Sequence, residues 1–456
     1  MKTKIKDSWV VAGLFLLSLA IGVVSTQVEP VIWWDEGVYS GMGHWLAAHP
    51  TDYRIPVELF EDFTLDRPDL AGYRAPLLPY LLAAAYRLLV PVILVVPVVT
   101  AGGVAALYLF IRRAVDRRTG VLAALFMAGL PLFAYFQGKM LTDSLAAAMG
   151  AFVLLAFWRG FEEGDRRFKF ATGALAGLAV LARATYIWLP LALGVYLLVR
   201  HRSLNFLRDR WLWAGIGALL VVLAPWFWYG VQAYGNPLGP VLHSMRAVYY
   251  WGGLQPASFY LQNWLWAFSV IGLLAIVGAV LAARSRQPAA LLLLIWVVAA
   301  LAFGANLPHK EMRYLLPAAP ALAGLAALAV GALPRWSLQV VLVALLITAL
   351  CTAGQLNTTF ANVHNGANDC FLGAMTYLSG VEKDAVIFNK ASPVVYYYTL
   401  RPSLPVRDTV TEMQGAGPRY YLWSEMTGGI EYAGLRERAE LVWECSSARV
   451  WRLNSL

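Results

Sequence analysis

Apolar runs long enough to cross a bilayer, each followed by a short polar link, constrain this chain more than any other feature. A helix needs about 17 to 25 apolar residues to span the hydrocarbon, and such runs recur between residues 8 and 353. Of the 456 residues 59% are hydrophobic and only 14% charged, where soluble domains carry roughly a quarter charged. The sequence is that of a polytopic membrane protein, mainly α.

The links sort by charge, and basic residues gather on the cytoplasmic side of membrane proteins. Lys2, Lys4 and Lys6 precede the first run, and Arg112, Arg113, Arg117 and Arg118 follow the second. Arg159, Arg166, Arg167 and Lys169 follow the fourth, Arg200, Arg202, Arg208 and Arg210 the sixth, Arg284 and Arg286 the eighth, and Arg335 the tenth. All fall on one side if the spans are approximately 8–25, 91–111, 120–137, 144–158, 170–182, 184–199, 211–230, 264–283, 289–305, 314–333 and 336–353. That gives about eleven helices, with the N-terminus inside and the C-terminus outside. The basic start and first apolar run resemble a signal peptide, but no small-residue cleavage site follows, so the run is expected to stay as the first helix. Residues 76–90 cannot cross without inverting everything after them, and are expected to lie at the interface as an amphipathic helix with Tyr80, Tyr86 and Arg87 at the headgroups. The net charge of +9 reports this topology and gives no reason to expect nucleic acid.

From residue 354 to 456 the apolar runs shorten to strand length, as in Asp384–Asn389, Arg419–Trp423, Leu441–Cys445 and Ala448–Leu453, with a helical pattern near 429–439. A small external α/β domain is expected there, after a transmembrane domain over 1–353 whose first external loop runs from about 26 to 90. Cys351 lies in an apolar run, so only Cys370 and Cys445, both in the tail, are placed to pair. Asn357-Thr358-Thr359 is a glycosylation sequon on the same side.

Nearly all functional-looking side chains fall in the outer links. Asp35 and Glu36 sit just past the first run, in Trp33-Trp34-Asp35-Glu36-Gly37-Val38-Tyr39, and Tyr73 and Arg74 close the same loop. Lys139 and Asp143 follow the third run, Arg183 sits in a tight turn, and Asn236, His243 and Arg246 lie in the 231–263 loop. His309-Lys310-Glu311-Met312-Arg313-Tyr314 opens the tenth helix. His309, Lys310 and Arg313 together can hold a lipid phosphate at the membrane surface. Taken singly, Lys and Arg at helix ends also snorkel, Asp143 is placed to cap the fourth helix, and Trp33, Trp34 and Trp45 are interfacial aromatics that can also stack on sugars.

Sugar transfer from a polyprenyl phosphate expels a good leaving group, so it needs one base for the acceptor hydroxyl and cations for the departing phosphate. Glycoside hydrolysis needs a pair of carboxyl groups in defined roles. The sequence has no Asp-x-Asp triplet, P-loop, Cys-x-x-Cys or His-Glu-x-x-His. No cofactor is expected, and a divalent metal is left open.

Asp35-Glu36 early in a long external loop, Tyr73-Arg74-Ala75-Pro76-Leu77, Met140-Leu141-Thr142-Asp143 before a helix, and Lys310-x-x-Arg313-Tyr314-x-x-Pro317 resemble the glycosyltransferase C (GT-C) superfamily. Within it the layout of residues 1–320 is similar to the protein O-mannosyltransferase and lipid A aminoarabinose transferase group. His309–Tyr314 also resembles the His-Lys-Glu-x-Arg-Phe block of lipid-linked-oligosaccharide mannosyltransferases. The resemblance implies Asp35 as catalytic base with Glu36 orienting base or acceptor. It implies His309, Lys310 and Arg313 as donor-phosphate ligands. Read from the residues alone, Arg183 and Arg74 are the alternate phosphate ligands, and Asp143, Lys139, Tyr73 and Tyr314 are further active-site candidates. It departs at Tyr73-Arg74-Ala75-Pro76, where the first group carries His-Pro-Pro or Lys-Pro-Pro, and at Tyr314, where the second carries Phe.

The expected function is transfer of a monosaccharide from a polyprenyl-phosphate donor to a lipid, glycan or protein acceptor, with inversion, by an enzyme of the cell membrane acting on its outer face. A lipid or glycolipid flippase is the alternative. Transport sites use ionisable residues near the midplane, and the eleven expected spans have no Asp, Glu, Lys or Arg in their interiors.

Overall fold

The structure, a computed structural model, describes residues 6–31, 33–61, 74–250, 255–256, 258–285, 287–332, 337–363 and 366–455. Tyr73, Arg286 and Arg335 lie outside the described residues, and Arg246 lies where only the backbone is described. The chain divides into two compact units: Met1–Gln27, Tyr73–Leu78 and Ile93–Leu356 form the first, and Val28–Gly72, Pro79–Val92 and Asn357–Leu456 the second.

In the first unit most of the expected spans are helices. Among the described residues nine helices of the chain are long and apolar enough to cross a membrane: Asp7–Val28, Val92–Ala114, Thr142–Glu162, Ala184–His201, Arg210–Tyr234, Trp264–Arg284, Pro288–Ala305, Met312–Gly331 and Gln339–Thr359. The other two expected spans are helical but shorter. Residues 120–137 break into Arg117–Gly129 and Pro131–Phe136, because Leu130 precedes a proline and takes an extended ψ of 122°. Arg166–Ala182 has 17 residues and stops where Arg183 turns extended, giving about 25 Å of helix against a hydrocarbon core of about 30 Å. The sequon Asn357-Thr358-Thr359 lies inside the helix Ser337–Val363, not on the surface loop that a glycan acceptor needs.

Small residues let these helices approach closely, as they do in membranes. A Cβ on Gly173 would collide with the carbonyl of Gly215, and one on Gly177 would lie 2.9 Å from Val222, so Arg166–Ala182 and Arg210–Tyr234 meet backbone to backbone. The basic links are tied to one another by ion pairs. Asp7 pairs with Arg112 and with Arg117 (3.6 Å), Arg113 with Glu163 (3.2 Å), Lys169 with Asp209, and Arg200 with Glu162 (3.5 Å). Four links separated in sequence therefore share one end of the helix set.

The second unit is built on a five-stranded sheet of β1 (Val386–Asn389), β2 (Ser403–Pro405), β3 (Arg419–Ser424), β4 (Ala439–Cys445) and β5 (Ala448–Leu453), in the order β2-β1-β3-β5-β4. β1 runs parallel to β2 and β3, while β5 runs antiparallel to β3 and β4. Alternation of side chains along a strand divides the core in two. Ile387, Tyr420, Leu422 and Val450 pack on Phe371, Ala374, Met375 and Leu378 of the helix Gly366–Ser379. Phe388, Tyr421 and Trp451 face Val410, Met413 and Leu435. Cys370 and Cys445 form a disulfide with their Cα atoms 5.6 Å apart. The helical pattern near 429–439 shrinks to one turn, Leu435–Arg438, since Ala439 already belongs to β4. The helices Trp34–Ala48 and Leu77–Arg87 complete this unit, the latter with its first two residues in the first unit.

Candidate active site

In the second unit, Asp35 and Glu36 occupy the first turn of the helix Trp34–Ala48. Trp33 caps it through its backbone, accepting from the N–H groups of Glu36 (3.1 Å) and Gly37 (3.3 Å). Carboxylates are favoured in this turn by the helix dipole. Asp35 is half-buried, whereas Glu36 is only 1% exposed. The indole of Trp33 donates to Glu29 at 3.3 Å, and Trp45 donates to Asp52 at 3.2 Å. Thus the acid pair sits on a rigid element where the sequence suggested a loop.

The first unit gathers a second cluster from three distant stretches. Asp143, in the first turn of the helix Thr142–Phe157, is 1% exposed. No side chain caps that helix; the Asp143 carboxylate instead takes Arg183 Nη1 at 2.6 Å and faces Arg313 Nη1 at 3.8 Å. Arg183 is the extended residue between Arg166–Ala182 and the 3-10 turn Ala184–Trp188. It also donates through Nε to Thr185 (3.1 Å) and through Nη1 to Thr142 (3.2 Å), and its guanidinium lies 5.1 Å from the centre of the Tyr314 ring. Its Nη2 has no partner among the described residues.

Glu311 organises the rest. It accepts from Arg313 Nε (2.6 Å) and Tyr314 Oη (3.0 Å) and lies 3.3 Å from His309 Nε2. Burial pushes its carboxyl up, but Arg313, the hydrogen bonds from Arg313 and Tyr314, and His309 outweigh this and hold it below the ordinary carboxylate range. Glu311 was not singled out from the sequence, although it stands inside the block that was. Its signal is its spacing, with three donors within three residues.

Lys310 is placed differently. Its ammonium donates to the carbonyls of Leu307 (2.7 Å) and Gln255 (3.0 Å), which pins the backbone and takes two of its three donors. Lys139 lies 5.4 Å from the Tyr135 ring centre, and both it and Arg74 are 1% exposed. The structure thus brings Asp143, Arg183, His309, Arg313 and Tyr314 together, and places Asp35 and Glu36 in the other unit. Among the described residues no three of His, Cys, Asp or Glu gather as metal ligands.

A cluster of this kind can bind an oxyanion, because a guanidinium held at Nε and Nη1 presents the N–H groups of Nη2 in a preorganised direction. In comparisons with known proteins, residues 54–401 match the model of the Alg9-like mannosyltransferase family. No curated protein matches the chain by sequence. Among solved structures, ArnT from Cupriavidus metallidurans bound to undecaprenyl phosphate is similar with a TM-score of 0.77 at 17% identity, over 98% of this chain and 98% of that one. The Archaeoglobus fulgidus oligosaccharyltransferase tethered with an acceptor peptide gives 0.57 at 14% identity, over 92% and 69% of the two chains. The arabinofuranosyltransferase AftD from Mycobacteria gives 0.54 at 14% identity, over 100% and 42%. These likenesses establish the fold.

Proposed function

The chain belongs to the Alg9-like mannosyltransferase family, whose members are membrane glycosyltransferases of GT-C type, and from that we propose that it moves a single sugar from a polyprenyl-phosphate donor to a hydroxyl acceptor. The acceptor is a lipid, glycan or protein on the outer face of the cell membrane, and the anomeric carbon inverts. About eleven helices cross the bilayer, N-terminus inside and C-terminal unit outside. The Cys370–Cys445 disulfide supports that orientation, since such bonds persist in oxidising compartments.

Asp35 takes the proton from the acceptor hydroxyl as it attacks, and Glu36 orients it. Arg183, Arg313 and His309 meet the phosphate that leaves with the C–O bonding pair, while Lys310 holds the segment that carries His309 and Arg313. Arg74 stands by as a further ligand, and Lys139, Tyr73 and Tyr314 are the remaining active-site candidates. The observation that carries this assignment is Arg183, held through Asp143, Thr142, Thr185 and Tyr314 with Nη2 unspent. That arrangement stabilises developing negative charge without reorganising when the charge appears. The likeness to ArnT from Cupriavidus metallidurans bound to undecaprenyl phosphate supports a lipid-phosphate donor.

The test is to incubate purified protein with radiolabelled polyprenyl-phosphate mannose and membrane extract. Wild type transfers label to product, and Asp35→Asn transfers it about 10²- to 10⁴-fold more slowly, the usual contribution of a positioned base. A product that retains the donor's anomeric configuration, or full turnover in Asp35→Asn, removes Asp35 from this role.

A further inference from the structure

The helices Val95–Ala114 and Thr142–Phe157, both of the first unit, meet closely at Gly103, where a Cβ would lie 2.6 Å from Ala148 Cα. Further along both helices, a cavity of about 360 Å³ is lined by Leu109, Arg112, Arg113, Leu155 and Arg159. Leu109, Arg112 and Arg113 follow the i, i+3, i+4 spacing that puts side chains on one face of a helix. Leu155 belongs to the last turn of Thr142–Phe157, and Arg159 to the π-helical turn Trp158–Glu162 that continues it. That turn is held by close packing at Gly160, where a Cβ would lie 2.8 Å from the Lys169 amide nitrogen. Single π-helical turns are concentrated at functional sites.

Every polar side chain lining the cavity is a guanidinium. Arg112 pairs with Asp7 through Nη2, Arg113 Nη1 donates to Glu163 at 3.2 Å, and Arg159 Nη2 donates to Asp165 at 3.2 Å. Arg159 also lies over Phe168, 3.6 Å from the ring centre, and its Nε is buried with no acceptor among the described residues. Asp7 is shared with Arg117 at 3.6 Å. Four guanidinia therefore meet three carboxylates, those of Asp7, Glu163 and Asp165, and one positive charge is left over. We propose that this cavity binds the headgroup of an anionic phospholipid such as phosphatidylglycerol. Its phosphodiester, with a single negative charge, sits among Arg112, Arg113 and Arg159, and an acyl chain runs along the half-buried Leu109 and Leu155. Basic pockets between transmembrane helices bind such headgroups, and the guanidinium fork matches phosphate oxygens. Asp143 and Arg159 stand 16 residues apart on one continuous helical run, about 24 Å at 1.5 Å per residue, so this lipid is distinct from the sugar donor. On the topology proposed above it belongs to the inner leaflet.

The experiment titrates the full-length protein in neutral detergent with phosphatidylglycerol and reads bound lipid by native mass spectrometry. Phosphatidylcholine of the same chains and glycerol phosphate are the comparison ligands. Wild type is expected to hold phosphatidylglycerol about tenfold more tightly than either. Arg113→Gln/Arg159→Gln is expected to weaken that binding about 30-fold, at roughly fivefold for each arginine near a phosphate. Glu163→Gln gives a sign that a merely structural ion pair would not: it frees Arg113 and is expected to tighten phosphatidylglycerol about fivefold. Equal retention of the two phospholipids overturns the proposal, and so does wild-type affinity in the double arginine variant. Glycerol phosphate held as tightly as the lipid also overturns it, because the site would then be one for free phosphate. If the arginine variant does not fold, Glu163→Gln decides, and unchanged or weaker binding there overturns the proposal. The readout is lipid binding, so it is independent of the role given to Asp35.

Discussion

Arg183 and Lys310 show how alike two basic residues look in sequence and how differently they are used. The Lys310 ammonium is occupied by two backbone carbonyls, while Arg183 is oriented through Nε and Nη1 and open at Nη2. Arg183→Lys keeps the charge but loses the planar guanidinium whose Nε and Nη1 bind Thr185, Thr142 and Asp143 at once. Donor turnover in Arg183→Lys is expected to fall on the order of 30- to 1000-fold, about 2 to 4 kcal/mol of transition-state stabilisation. Turnover within twofold of wild type would move the phosphate role to another cation. The residue types at this site were legible in the sequence because charged side chains stand out against apolar runs. Their partners were not. The Asp143–Arg183 pair spans 40 residues, and helical periodicity gives no information about which turns meet.

At the scale of the element, apolar periodicity and basic links located most of the helices, and alternation located four of the five strands. The sequence missed the helix Gly366–Ser379, whose two glycines weaken the helical signal, and Ser392–Thr399, whose valines, tyrosines and threonine resemble a strand on propensity alone. It also mistook the acid-bearing segment for loop, since Gly37, Gly41 and Gly43 lower helix propensity. Those glycines are explained by packing, because a Cβ at any of them would meet a neighbouring backbone or side chain. The same reasoning separates Gly173 from Gly217. Gly173→Ala drives a methyl into the Gly215 carbonyl, whereas a Cβ on Gly217 meets nothing within 4 Å. Thermal melting in detergent should show Gly173→Ala destabilised by about 1 to 3 kcal/mol, and Gly217→Ala unchanged or stabilised by up to about 1 kcal/mol. Equal melting of the two variants would mean that Arg166–Ala182 and Arg210–Tyr234 do not meet at Gly173.

For the whole molecule, the Cys370–Cys445 bond closes 75 residues of the second unit. A cross-link over such a loop contributes roughly 2 to 5 kcal/mol, mainly by restricting the unfolded chain. Cys370→Ser/Cys445→Ser is therefore expected to lower the melting temperature of the sheet, read by exchange protection of β3 and β5. Protection in the first unit's helix Thr142–Phe157 should stay at the wild-type level. A double variant as protected as wild type would show that the bond adds nothing to the folded unit.

The packing of Trp34–Ala48 on Ser392–Thr399 also fixes an order of events during synthesis. About 340 residues separate the two helices, and a ribosome working at about 5 to 20 residues per second takes roughly 20 to 70 seconds to make them. Through that interval the helix Trp34–Ala48 lacks the surface on which Gly37 packs. A prematurely terminated chain would thus carry Asp35 and Glu36 on a helix whose packing partner, Ser392–Thr399, had not been made.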